Sequence, residues 1–300
     1  MPVQEVIIQT RQALQAAVVT NYNLVEAHPP LQHFQLASDI WITELDYHLA
    51  EEVMDCYEPR VFGMPKPVRQ SPQLYAFVRL NSAEGSLWDW HPDQQLEQCV
   101  ALSRLVHPTS IPLSLHAKIS VDENAKLLEL IPIETALHGA WIADPDGRDW
   151  LTEDDARQLR ELVARLPLSV PKRVSRALWY FEMAARSYFA DIRWTLVATG
   201  LEALVHTHKE RSTYQFKTRT SRLADFLKMT KFTSDAALSF YDLRSQLSHG
   251  QGLGTLAVAQ QELYREGEDV LRAILLRAIL DASFASTFVD NASIVLNWAT

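Results

Sequence analysis

The sequence predicts an α+β protein: a mixed N-terminal domain over residues 1–150, followed by an all-α antiparallel helical bundle over residues 151–300. Three observations lead there. Short apolar or alternating runs of strand length are confined to the first half. In the second half apolar residues recur every three or four positions, the period of helices that bury one face. The charge balance also changes, from 9 basic and 20 acidic side chains in residues 1–150 to 19 and 17 in residues 151–300. At 47% hydrophobic and 22% charged, 300 residues carry enough apolar surface for two cores, and the composition is not that of a disordered chain.

In the first half, residues 34–45, 73–80, 113–121 and 126–133 read as strands, and the last two flank Asp122-Glu123-Asn124-Ala125, a hairpin turn. Residues 93–106 carry Leu96, Cys99, Val100 and Leu105 at helical spacing and stop before His107-Pro108. The histidines of this half are scattered without ligand spacing and read as structural or surface residues. Trp88-Asp89-Trp90-His91 offers either the lining of a pocket or, more often for tryptophans at a loop-to-helix junction, a core plug.

Asp144-Pro145-Asp146-Gly147 is a turn that marks the domain boundary. Thr152 then caps a helix with acids in its first turn, and Ala156, Leu159, Val163 and Leu166 form its stripe up to Pro167. Ser169 caps the next, with Pro171 in its first turn. Its apolar positions run from Val174 to Val205, as one very long helix or two stacked end to end, with a break near Gly200. A shorter helix is expected over residues 221–229. Thr233 or Ser234 caps another, with Ala236, Phe240, Leu243 and Leu247 inward and Gly250 as its stop. A final helix runs from about residue 257 into the 280s, with Leu263, Val270, Ile274, Leu275, Ala278 and Ala282 inward.

Cys56 and Cys99 have no metal-ligand spacing, and so few thiols point to a reducing compartment. No signal-peptide pattern opens the chain, and no stretch reaches the roughly 20 apolar residues that span a bilayer. The expectation is a cytoplasmic protein without a membrane partner, a metal site or a cofactor.

Chemistry concentrates in Tyr241-Asp242-Leu243-Arg244-Ser245-Gln246-Leu247-Ser248-His249-Gly250. A permanently charged guanidinium and an imidazole that exchanges protons near neutral pH suit metal-free cleavage of a phosphodiester. Here Arg244 would stabilise charge on the phosphorane oxygens. His249 would take the proton of an RNA 2′-hydroxyl or protonate the leaving 5′ oxygen, giving a 2′,3′-cyclic phosphate. Tyr241, Ser245 and Ser248 would position the phosphate by hydrogen bonds. Arg244 and His249 lie about 140° apart on a helical wheel, so two chains packed antiparallel along Ala237, Tyr241, Arg244 and Ser248 would assemble a composite site. The structural alternative is equally concrete: Arg244 pairs with a carboxylate such as Glu202 or Asp191, and His249 answers the helix dipole.

A long first helix closing on Gly200-Leu201-Glu202-Ala203-Leu204, a basic connection, then Tyr-Asp-Leu-Arg-Ser-x-x-x-His-Gly and a final helix together resemble the HEPN superfamily, in particular its Apea-like branch, over roughly residues 171–290. The resemblance implies a helical bundle, usually dimeric. Many members are metal-independent ribonucleases of toxin–antitoxin or phage-defence systems, with an Arg, four-to-six-residue, His motif that falls here on Arg244 and His249. The most active branches place Asn, Asp or His after the arginine, where this chain has Ser245. Other branches are binding or scaffold modules, so the rival expectation is a non-catalytic module for RNA, nucleotide or a protein partner.

The connection from Lys209 to Arg222 adds Arg211, Lys217, Arg219 and Arg222, interleaved with Tyr214 and Phe216, a pattern suited to phosphate contact and base stacking; its alternative is a solvated loop. The acidic N-terminal half is the expected surface for a protein partner or trigger.

Overall fold

The computed structural model describes residues 5, 14–21, 31, 33–49, 74–80, 90–107, 116–122, 124, 126–134, 151–166, 168–187, 189–208, 210–248 and 257–299. The chain divides into two compact units, Met1–Pro167 and Leu168–Thr300. The turn at residues 144–147, Trp88 and Asp89 lie outside the described residues.

The first unit is built on a six-stranded antiparallel sheet: β1 (Leu14–Asn21), β2 (His33–Gln35), β3 (Ile40–Glu44), β4 (Leu74–Leu80), β5 (His116–Val121) and β6 (Leu127–Glu134), in the order β2-β3-β4-β1-β5-β6. The run at residues 34–45, expected as one strand, is a hairpin. Ala37-Ser38-Asp39 turns the chain, and Leu36 N–H donates to the Ile40 carbonyl at 2.8 Å. The other hairpin turns where its sequence suggests: Asp122 Oδ1 accepts from the backbone N–H of Asn124 and of Lys126, both at 2.9 Å. Phe77 and Val78 are successive residues of β4 and both buried, so this central strand is covered on each face. Helix α1 (Trp90–Val106) packs against β1 and β4 with Leu96, Cys99, Val100, Leu102 and Leu105 buried.

Helix α2 (Glu153–Val163) belongs to this first unit, whereas the sequence placed it in the second domain, residues 151–300. Its capping box is complete: Thr152 Oγ1 accepts from Asp155 N–H, and Asp155 Oδ2 accepts from Thr152 N–H at 2.7 Å. Arg160 lays its guanidinium over the Phe34 ring, 4.2 Å from the centroid, and donates from Nε to the Gln35 carbonyl at 2.9 Å, which fastens the helix to edge strand β2.

The second unit holds α3 (Lys172–Arg186), α4 (Ala190–Val205), α5 (Ser212–Phe226), α6 (Ser234–Ser248), α7 (Val258–Leu280), α8 (Ala282–Ser286) and α9 (Asn291–Trp298). The stretch expected as one long helix, or two end to end, instead folds back on itself between Arg186 and Ala190. Arg173 near the start of α3 bonds the Ala203 carbonyl near the end of α4, so the two form an antiparallel hairpin. Gly200 does not break α4. A Cβ there would stand 2.9 Å from Leu271 Cδ2 and 3.5 Å from the Ala177 carbonyl oxygen, so glycine marks a close approach of helices. The N-cap of α3 is Pro171 rather than Ser169, without a side-chain cap bond.

The core of this unit is aromatic. Trp194 stacks on Phe240 with centroids 5.0 Å apart, and its indole N–H donates to the Phe240 carbonyl at 3.1 Å. Gly267 of α7 lies under the same ring, where a Cβ would come within 2.3 Å of Phe240 Cε2. The buried stripe of α6 is Ala237, Phe240 and Tyr241, one step round the helix from the expected Ala236, Phe240, Leu243 and Leu247. Thr233 caps α6, its Oγ1 accepting from Ala236 N–H at 3.2 Å. In α7 the stripe begins at Tyr264 rather than Leu263 and runs through Val270, Leu271, Ile274, Leu275 and Ala278. Asp281 and Asp290 cap the two short helices that follow.

Candidate functional site

Helices α4 and α6 bring three of the expected site residues together. Tyr241 is carried inward on the α6 stripe, and Arg244 follows three residues later on the same side of the helix. Glu202 follows buried Leu201 near the end of α4. One oxygen of its carboxylate accepts from Arg244 Nη2 at 2.8 Å and the other from the Tyr241 hydroxyl at 2.8 Å. The side chains of Arg244 and Glu202 are 26% and 17% exposed, so the pair is shielded from most solvent screening without being sealed. The Arg244 guanidinium also lies over the Tyr241 ring, 5.5 Å from its centroid, and that ring packs on Phe216 at 4.5 Å. Burial pushes the Tyr241 phenol above its ordinary pKa, so it acts as a hydrogen-bond donor at neutral pH. Of the two carboxylates considered for Arg244, Glu202 is the partner; Asp191 turns to its own neighbour, accepting from Ile192 N–H at 2.8 Å.

Ser245 is half-buried on the following turn, and Ser248 is the last residue of α6. His249 and Gly250 lie outside the described residues, as does the side chain of Ser248. Ala237 and Tyr241, half of the seam expected between two chains, are 0% and 6% exposed and belong to this chain's own core.

The basic connection is mostly helix. Residues 212–226 form α5, where a loop and then a helix from Ser221 were expected. Arg211 and Tyr214 are exposed, and Lys217 and Arg222 half-buried. Arg219 is not on the solvent side. It is 5% exposed and its Nη1 donates to the Val205 carbonyl at 2.9 Å and also to the His206 carbonyl, closing the C-terminal end of α4. Phe216 is fully buried and offers no stacking face.

The sequence reading missed a second feature. Glu202 also borders a cleft of ≈ 570 Å³ in the α3–α4 hairpin, whose lining includes Lys172, Arg173, Arg176 and Tyr180 from α3 and His206 at the end of α4. Three cations within five residues, Lys172-Arg173-Val174-Ser175-Arg176, were the available signal. Burial, then the charges of Arg173, Arg219 and His208, hold the His206 imidazole below its ordinary pKa. Its backbone has φ 48° and ψ 93°, a positive-φ conformation uncommon for residues other than glycine and outside the left-handed helical well.

Deeper in the unit, Arg193 on α4 faces Glu268 on α7 at 3.8 Å, and the Tyr264 hydroxyl donates to the same carboxylate at 2.9 Å. Burial raises the pKa of Glu268. This network ties α4 to α7 within the core. Among the described residues no helix is long and apolar enough to cross a membrane. Comparison of the chain with family models, curated proteins and solved structures gives no match.

Proposed function

We propose that the helical unit is a HEPN-like, metal-independent endoribonuclease that uses Arg244 and His249. The observation that carries this reading is the fixed position of Arg244. Glu202 and Tyr241 hold its guanidinium in one place while about a quarter of the side chain stays open to solvent, on the helix that leads directly to His249. An arginine held before substrate arrives stabilises developing phosphorane charge without reorganising during the reaction. In the reaction the RNA 2′-oxygen attacks the adjacent phosphorus as His249 accepts its proton. The bond from phosphorus to the 5′ oxygen breaks, and the imidazolium of a second His249, from a partner copy, protonates that oxygen. The two imidazoles exchange roles before the next turnover. The dimer that supplies the second histidine would use the end of α6 rather than Ala237 and Tyr241. A cytoplasmic setting follows from the scarcity of cysteine. The acidic first unit would meet a protein trigger or partner, as in toxin–antitoxin and phage-defence effectors.

The test is incubation of the purified chain with tRNA and single-stranded RNA in EDTA. Arg244→Ala and His249→Ala are each expected to abolish cleavage while circular dichroism stays unchanged, and mass spectrometry should find 2′,3′-cyclic phosphate ends. Equal cleavage by wild type and both variants sinks the assignment. A second reading, a non-catalytic RNA-binding module, draws on the same ion pair, because Glu202 offsets the charge that Arg244 would offer a phosphate. It takes over if wild type binds RNA and leaves it intact.

A further inference from the structure

The cleft in the α3–α4 hairpin breaks two local rules at once. Lys172 and Arg173 occupy the first turn of α3, which holds no acidic residue and has no side-chain cap, although the positive end of a helix dipole disfavours cations there. His206, across the cleft, holds a strained backbone conformation. Departures from local preference that collect on one concave surface mark sites built for something other than stability.

The charge balance says what that something is. The cations lining the cleft are Lys172, Arg173 and Arg176, and the acid in its lining is Glu202, whose carboxylate is already bonded to Arg244 and Tyr241; Asp290, next to the lining residue Val289, is a second acid that feels the charge of Arg173 and caps α9. Arg173 is held as a fixed charge by the Ala203 carbonyl at 2.9 Å and by Asn291 Oδ1. Lys172 and Arg176 are exposed at the mouth. Arg176 reaches the Tyr180 hydroxyl at 3.3 Å, and Tyr180 meets Trp179, itself 57% exposed, edge to face at 5.1 Å. Three cations beside the ring of Tyr180, in a volume of ≈ 570 Å³, match a phosphate ester that carries a planar base.

We propose that this cleft is a nucleotide site, with Lys172, Arg173 and Arg176 on the phosphate and Tyr180 beside the base. The nucleotide is a free one or one unit of an RNA strand; only the second source rests on the ribonuclease reading. On that reading the strand crosses the outer face of the α3–α4 hairpin rather than α5, where sequence placed the basic residues.

Binding of fluorescein-labelled single-stranded RNA to the full chain carrying His249→Ala tests this without cleavage. Lys172→Glu with Arg176→Glu should weaken binding at least about tenfold near 100 mM salt and reduce the salt slope by about one. Arg211→Glu with Arg222→Glu, at the N-cap and within α5, should change affinity less than about twofold. An equal or larger loss from the α5 pair, or no loss from the cleft pair, overturns the proposal. Should the glutamate pair fail to fold by circular dichroism, Lys172→Ala with Arg176→Ala replaces it, with a loss of about fivefold expected and an unchanged affinity decisive against the site. Displacement of labelled RNA by 5′-AMP identifies a single-nucleotide pocket. Displacement by unlabelled RNA alone identifies a strand site. Loss of binding in the cleft pair, with a wild type that leaves RNA intact, upholds the cleft and removes the ribonuclease. Cleavage by wild type with unaltered affinity in the cleft pair does the reverse.

Discussion

Glu202→Gln replaces the carboxylate that holds Arg244 with an amide of the same shape, whose carbonyl can still accept from Tyr241. The charge is lost, and with it the second oxygen, which accepts from Arg244. The pair is bonded at 2.8 Å, with side chains 26% and 17% exposed, between the exposed and sealed extremes. Exposed ion pairs contribute about 0–1 kcal/mol, whereas removing one partner of a sealed pair costs about 3–5 kcal/mol. The expected loss for Glu202→Gln is therefore about 1–2 kcal/mol. Arg244→Met alone should cost a similar amount, because it strands the carboxylate. The double variant should cost less than the sum of the two, with a coupling of about 1 kcal/mol or more. Urea unfolding followed by far-ultraviolet circular dichroism, where the helices dominate, measures all four corners of the cycle. Repeating it near 1 M NaCl should leave most of the coupling, since shielded pairs feel salt less than exposed ones. A coupling under about 0.3 kcal/mol would mean that Glu202 does not fix Arg244, and the preorganised arginine would lose its support.

Gly267→Ala should lower stability by about 1–3 kcal/mol, because the added Cβ meets a Phe240 ring already stacked on Trp194. Gly200→Ala should be near neutral, since the nearest atom is the mobile end of Leu271 and alanine favours the helix; a thermal melt that ranks the two in the opposite order refutes the packing described. Glu268 has its folded pKa raised by burial, so the folded state holds that proton more tightly than the unfolded one, and stability should fall as pH rises from 4.5 through the raised value. Glu268→Gln should remove that decline, measured as the difference in melting temperature between the two proteins across pH 4.5–7; identical profiles would show that Glu268 does not titrate in this range.

Most features set by a few adjacent residues were legible in the sequence, the cap expected at Ser169 being the exception. The Thr152 cap, the turn after Asp122 and the Thr233 cap each need three or four positions, and each forms as expected. Features set by direction were not. Apolar spacing continues from Val174 to Val205 through Arg186 and Ser187, without glycine or proline at the fold-back, so periodicity reported a face and missed the reversal. Strand β1 opens on Leu14-Gln15-Ala16-Ala17, without apolar–polar alternation, and forms between β4 and β5. Site residues divide in the same way. Glu202 was identified because an arginine beside a core stripe needs a carboxylate within reach. Arg219 was misplaced because composition does not reveal that a guanidinium is occupied by helix-end carbonyls. The cationic cleft has one wall on each arm of the α3–α4 hairpin, and without the fold-back there was no second wall to place.

Both margins of the N-terminal sheet resist an added strand. On β2, the Gln35 carbonyl already receives Arg160, and α2 lies fastened alongside. On β6, Pro132 sits opposite Ala117 and lacks the N–H that a continuous ladder requires. A strand offered to either margin of these described strands would meet a carbonyl already engaged or a position without an N–H, so the backbone itself discourages the sheet from growing there.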